Sequence, residues 1–69
     1  MAEFKLDGDF IPLIQLLKAT GLAENGGEAQ AIVAAGLVKY NGQTDYRKRL
    51  KVKAGDTVEF EGHTLQIHS

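Results

Sequence analysis

Six cationic side chains, Lys39, Arg47, Lys48, Arg49, Lys51 and Lys53, fall within residues 39–53, where Asp45 is the one acid. That segment carries a net +5. The rest of the chain sets two lysines, Lys5 and Lys18, against eight acids, a net −6, and the two parts together give the formal −1 of the whole chain. A polyanion responds to local potential rather than to total charge, so a near-neutral chain with this segregation can still bind phosphates. Arginine matches a phosphate with a bidentate fork, and lysine meets it as a point charge. On a strand, Lys51 and Lys53 would share one face, opposite Leu50 and Val52. Lysines placed so can also serve only to keep a sheet edge from pairing with another chain. The consecutive Arg47-Lys48-Arg49 goes beyond that purpose, because three adjacent cations repel one another until a counter-charge arrives.

Other polar groups suggest little chemistry beyond binding. Asn25-Gly26-Gly27 precedes an apolar helical pattern. A helix start with glycines exposes backbone amides to an anion, although the same residues also make an ordinary inter-helix turn. Tyr40 shares the strand face of Val38 and reads as core, whereas Tyr46, beside the cations, is the candidate for stacking on an exposed base. His63 and His68 have no partner at a spacing that would hold a metal, and cysteine is absent. The sole serine is Ser69, and no nucleophile–base pair or phosphate-binding P-loop pattern occurs. These absences argue against an enzyme, a metal site or a cofactor.

The elements that must position the cations are legible from glycine punctuation and apolar periodicity. Sixty-nine residues make one domain, residues 1–69, with room for one small core. Phe4-Lys5-Leu6 reads as a first strand. Phe10, Leu13, Ile14 and Leu17 lie at helical spacing, with Asp9 as N-cap, Pro12 in the first turn and Gly21 as the left-handed stop. A second helix of about ten residues starts at Asn25, where Glu28 completes a capping-box pattern, buries Ala29, Ile32 and Val33, and stops at Gly36 with Leu37 folding back. The remainder is β. Val38 and Tyr40 lead into the hairpin signal Asn41-Gly42. Leu50 and Val52 form a further strand, Ala54-Gly55-Asp56 turns, Val58 and Phe60 face one way, Glu61-Gly62 turns again, and Leu65 and Ile67 end the sheet. The fold class is α+β: a two-helix hairpin packed on a small, mostly antiparallel β-sheet.

The ordered run Asn25-Gly26-Gly27-Glu28-Ala29-Gln30, then Val33, then Gly36-Leu37-Val38-Lys39-Tyr40-Asn41-Gly42 resembles the S-four-type RNA-binding domain, or αL RNA-binding motif. The pattern of that family continues with a basic cluster, here Arg47-Lys48-Arg49, and Gly-Asp-x-Val, here Gly55-Asp56-Thr57-Val58. Glu59-Phe60-Glu61-Gly62-His63 is similar to the short, stand-alone bacterial branch. Two positions depart: Gln30 stands where the family has lysine, and Asn25 where it has a small hydroxyl residue. The resemblance implies that the N-terminal half of the second helix and the adjacent hairpin form an RNA surface. Carried over by position, the RNA-binding residues are Asn25, Gly26, Gly27, Gln30, Lys39, Asn41, Arg47, Lys48 and Arg49, joined by Lys51 on charge. Lys53 falls outside this surface.

The expectation is a non-catalytic protein that binds structured RNA, ribosomal RNA among the candidates, as a monomer and without a cofactor. DNA binding would share the electrostatics. A small protein-interaction module of β-grasp type is the alternative. Gly55-Asp56-Thr57-Val58-Glu59-Phe60 is similar to sulfur-carrier endings, but the chain closes on Gln66-Ile67-His68-Ser69 rather than the Gly-Gly that carriers need. The first residues lack the pattern of a signal peptide and no apolar run is long enough to span a membrane, so the expected location is cytoplasmic.

Overall fold

A computed structural model describes residues 2–69. In chain order the elements are β1 (Ala2–Lys5), β2 (Ile11–Pro12), α1 (Leu13–Ala19), α2 (Gly26–Ala34), β3 (Val38–Tyr40), β4 (Gln43–Thr44), β5 (Lys51–Val52), β6 (Thr57–Phe60) and β7 (His63–His68). Five strands form one sheet in the order β1-β7-β6-β3-β4, in which only β1 and β7 run parallel. The helical hairpin covers one face. This is the α+β class expected, with the antiparallel character intact.

Strand alternation decides what each face holds. Val38, Val58, Phe60, Leu65 and Ile67 are buried under Leu13, Leu16 and Leu17 of α1 and Ala29, Ile32 and Val33 of α2. The intervening residues, Lys39, Thr57, Glu59, Thr64 and Gln66, occupy the opposite, uncovered face. Pairing fixes this two-sidedness, because a slip by one residue would send every apolar side chain into water.

Two hairpins have tight two-residue loops. Asn41 (φ 51°) and Gly42 (φ 86°) join β3 to β4, and Glu61 (φ 49°) and Gly62 (φ 79°) join β6 to β7. Both central residues of each loop are left-handed, as the twist-compatible type I′ turn demands. The β3–β4 loop matches the hairpin read from Asn-Gly.

Helix α2 begins and ends where its sequence dictates, although the Glu28 side chain does not return the bond that a full capping box would have. The Asn25 side chain accepts a 2.8 Å bond from the Glu28 N–H, the cap expected of Asn25. At the other end Gly36 (φ 74°) donates to the Val33 carbonyl and Leu37 donates to Ile32, a complete Schellman closure. The Leu37 backbone folds back as anticipated, but its side chain stays half exposed.

Helix α1 corrects the expectation at its N-terminus. Asp9 sits in a bend and caps nothing. Pro12 is itself the N-cap, extended at φ −61° and ψ 142°, and the helix starts at Leu13. The cause is tertiary. Ile11 and Pro12 pair antiparallel with Val52 and Lys51, and the Leu13 N–H donates to the Leu50 carbonyl at 2.9 Å. Phe10 therefore lies before the helix rather than on its apolar face, and is 40% exposed. The strand read at Leu50–Val52 is real but short, and it belongs to this separate β2–β5 ribbon.

Gly36 is constrained twice. Its φ is left-handed, and a Cβ there would lie 2.9 Å from the Tyr46 ring. Gly36→Ala should cost roughly 1–2 kcal/mol from the backbone alone and push the exposed Tyr46 ring aside. Urea denaturation of the variant checks this. In the Tyr46→Ala background the loss should shrink to the backbone part.

Candidate nucleic-acid interface

The basic segment is a loop held at both ends. At its start the Asp45 N–H donates to the Val38 carbonyl at 3.1 Å. At its end Leu50 and Val52 are buried and the β2–β5 ribbon stitches the chain to the start of α1. Between these anchors the Leu50 N–H donates to the Arg47 carbonyl at 3.3 Å, so Lys48 and Arg49 form the tip of a tight turn. Both are exposed. With the backbone pinned on either side, the cations have no route inward.

Arg47 is oriented by its own neighbour. Its Nε and Nη2 donate to both carboxylate oxygens of Asp45, the shortest at 2.7 Å, and its backbone N–H donates to the same carboxylate at 2.8 Å. The Arg47 side chain bond holds the Asp45 carboxyl below the usual carboxylate range. The Asp45 side chain is 12% exposed and that of Arg47 68% exposed, so the acid is enclosed while the guanidinium faces water.

Beside this loop lies an open groove of about 550 Å³ lined by Tyr40, Arg47, Arg49, Leu50, Lys51, Lys53 and Asp56. Four cations thus meet in one depression. Lys53, expected outside the RNA surface, lines the same depression. Lys51 holds its ammonium 5.0 Å from the centre of the Phe10 ring, a cation–π contact worth about 0.5–1 kcal/mol at an exposed position. The exposure of Phe10 thereby gains a reason, since it steadies a groove lysine.

Asp56 anchors the wall of the groove. Its carboxylate accepts the Tyr40 hydroxyl, the Lys53 N–H at 2.8 Å and the Asn41 side-chain amide at 3.4 Å. Burial works against the charge on Asp56, but these bonds outweigh it and hold the carboxyl below its ordinary range. The same bond, with help from burial, pushes the Tyr40 hydroxyl up to about 12. Tyr40 is half-buried and packs at the margin of the core, so its reading as core was right only for the ring.

A second, smaller hollow of about 280 Å³ is lined by Pro12, Ile14, Gln30, Lys48 and Arg49. Gln30 follows Gly26 by about one helical turn, which brings the start of α2 beside this hollow. There Asn25 caps the Glu28 amide and its carbonyl accepts the Ala29 N–H, which leaves the Gly26 and Gly27 amides without a partner among the described residues. Arg49 lines both depressions, and it is the one cation that does.

The remaining candidates stand apart. The Asn41 side chain is engaged internally: its oxygen accepts the Thr57 N–H at 2.8 Å and its amide reaches Asp56. Lys39 projects from the uncovered sheet face, opposite Glu59 across the strands, and lines a separate hollow with Glu59 and Glu61. Tyr46 is exposed at 63%, but the end of its ring lies over Gly36.

The S4 domain family model matches residues 4–68. The chain belongs to the S4 domain family. This S4 domain is 43% identical over 68 residues to YbcJ of Escherichia coli (strain K12), covering 97% of each chain, and equally so to YbcJ of Shigella flexneri. The solution structure of the E. coli protein, described as revealing an αL motif involved in RNA-binding, superimposes with a TM-score of 0.76 at 41% identity. It covers all of this chain and 89% of that one. The 30S ribosomal protein S4e from Thermoplasma acidophilum aligns with a TM-score of 0.70 at 29% identity, over 84% of this S4 domain and 31% of the larger protein. The resemblance read from the ordered motifs is therefore a family relationship across nearly the whole chain, and it leaves the β-grasp alternative without a segment of its own.

The Tyr40–Asp56 bond generates a test. A raised tyrosine pKa stabilises the fold fully below the unfolded value of 10.0, and that contribution is lost as pH rises through about 12. Absorbance at 295 nm should show a component ionising near 12 that Tyr40→Phe removes. The same variant should lose about 1 kcal/mol in urea unfolding at neutral pH.

Proposed function

We propose that this S4 domain is a non-catalytic RNA-binding protein that recognises structured RNA through the face formed by the basic loop, the groove beside it and the start of α2. One observation carries the reading: Arg47, Arg49, Lys51 and Lys53 line a single depression whose loop is tied down at both ends. The family relationship and the RNA-binding αL motif of E. coli YbcJ support it. In this reading the groove cations neutralise phosphates, and the Gly26 and Gly27 amides add donors where the helix dipole favours an anion. Asn25 and Gln30 supply polar contacts. Lys39 and Asn41 fall away from the contact surface, one by its face of the sheet and the other because its side chain is already bonded.

Structured RNA suits this surface better than duplex DNA. Folded RNA offers phosphates, 2′-hydroxyls and unpaired loops or bulges rather than a readable major groove, and a small rigid face reads such shape. No helix among the described residues is long and apolar enough to cross a membrane. We propose that the protein acts as a monomer in the cytoplasm, and ribosomal RNA is a target of the right kind.

With about four phosphate contacts, the logarithm of affinity should fall with the logarithm of salt at a slope near −3, using the single-strand coefficient. Fluorescence anisotropy with a structured RNA between 50 and 200 mM salt, roughly the range over which such contacts dominate, measures it. Lys51→Ala should reduce the steepness by about 0.7. Lys39→Ala should leave the slope in place. A slope near zero, or equal effects of the two substitutions, would count against the groove.

A further inference from the structure

We infer that the hollow between α1, α2 and the basic turn receives a single unpaired nucleobase of the bound RNA, and that Gln30 reads its edge. The inference rests on the proposed RNA-binding function and assigns a second, chemically different subsite within that surface.

The two depressions differ in what lines them. The groove presents four cations over Tyr40, Leu50 and Asp56 and suits a run of backbone. The hollow has an apolar wall of Pro12 and Ile14, one neutral amide, Gln30, and cations Lys48 and Arg49. Phosphates alone would gain nothing from Pro12 and Ile14. A base would, because its faces are apolar and its edge is polar. Single-stranded RNA recognition works in this way, with an extruded base held against apolar or guanidinium planes and hydrogen-bonded on its edge. At about 280 Å³ the hollow exceeds the roughly 150 Å³ that suffices for a benzene-sized ring.

The departure at residue 30 has a consequence here. A lysine would point another positive charge at phosphate. Gln30 offers one acceptor and two donors on a planar amide, the set that pairs with a base edge. Gln30 is exposed and makes no side-chain hydrogen bond among the described residues, so that set is available. Arg49 lines both depressions, so its guanidinium can lie against a base in the hollow while its neighbours hold the flanking phosphates. Pro12 is held extended by its pairing with Lys51, so the apolar wall is fixed before RNA arrives.

The test uses two RNA hairpins, one fully paired and one with a single-nucleotide adenine bulge, each titrated by fluorescence anisotropy against the full chain. The bulged hairpin should bind roughly tenfold tighter, the discrimination expected of one good amide–base pair. With 2-aminopurine at the bulge, its fluorescence should change on binding. Gln30→Ala should bring the two hairpins to within about twofold of each other. Gln30→Lys, which restores the family residue, should tighten both hairpins and abolish the preference. Both substitutions are at an exposed helical position filled by good helix formers, so the fold should persist. If wild type binds both hairpins equally and Lys51→Ala weakens both, RNA binding stands and the base subsite is overturned. If the preference survives Gln30→Ala, the role of Gln30 is overturned. If neither hairpin binds, the underlying function fails and the subsite with it.

Discussion

The carboxylate of Asp56 fastens the end of β3 to the turn that follows β5, 15 and 16 residues further along the chain. Tyr40 ends β3, Asn41 opens the following turn and Lys53 leaves β5, and all three donate to it. Its backbone carbonyl accepts the Ile67 N–H at 3.0 Å, which ties in β7 as well. Beside this centre, the Gly55 N–H donates to the Ile67 carbonyl at 2.9 Å and joins the turn after β5 to β7. A buried or half-buried carboxylate is costly unless its lone pairs are filled. Here two donors come from side chains and one from the backbone. The acid that reduces the basic potential of the groove is therefore what gives the groove a wall.

Positive charge gathers on one side of the molecule by topology as much as by sequence. The uncovered sheet face alternates with the core, and it pairs Lys39 with Glu59 across neighbouring strands. Opposite charges directly across an antiparallel pair stabilise it modestly. The basic turn leaves that sheet after β4, passes Tyr46 over Gly36 and returns under Phe10 to the start of α1. Lys48 and Arg49 are delivered to the helix side, where Gln30 and the first turn of α2 wait. Both helices and the ribbon are thus required to place one short loop.

What the sequence revealed was local. The Asn25 cap, the left-handed Gly21 and Gly36 and the Asn41-Gly42 turn depend on a few consecutive residues, and each formed where the residues indicated. The apolar faces of α2 and of the long strands were legible for the same reason. The start of α1 was not, because Ile11 and Pro12 are recruited by β5, beyond both helices in sequence, and a two-residue ribbon leaves no alternation to detect. Phe10 then lost its place on the helix. The site residues divided in the same way. Arg47, Lys48 and Arg49 were evident from composition. The separation of Lys39 from them depended on which side of the sheet β3 showed, and the place of Lys53 beside the other groove cations on where the β2–β5 ribbon ends. The internal use of Asn41 was hidden as well, since its partners Asp56 and Thr57 are 15 and 16 residues away.

Asp45 makes the last step in this logic. A loop built only to attract phosphate would omit it, since one acid among six cations weakens the field. An ion pair whose cation faces water contributes little to stability, so stability is a weak reason to keep it. Its geometry suggests another. Asp45 bonds both the side chain and the backbone N–H of Arg47, which fixes the guanidinium and the first bend of the loop together. A long cationic side chain that is free in solution must surrender rotamer freedom on binding, about 0.5–1.5 kcal/mol for each one immobilised. Arg47 has surrendered part of that in advance, during folding. The Nη1 group takes no part in the pair and stays free for a further acceptor. The loop gives up some long-range attraction for a donor that is already set in place when an anion arrives.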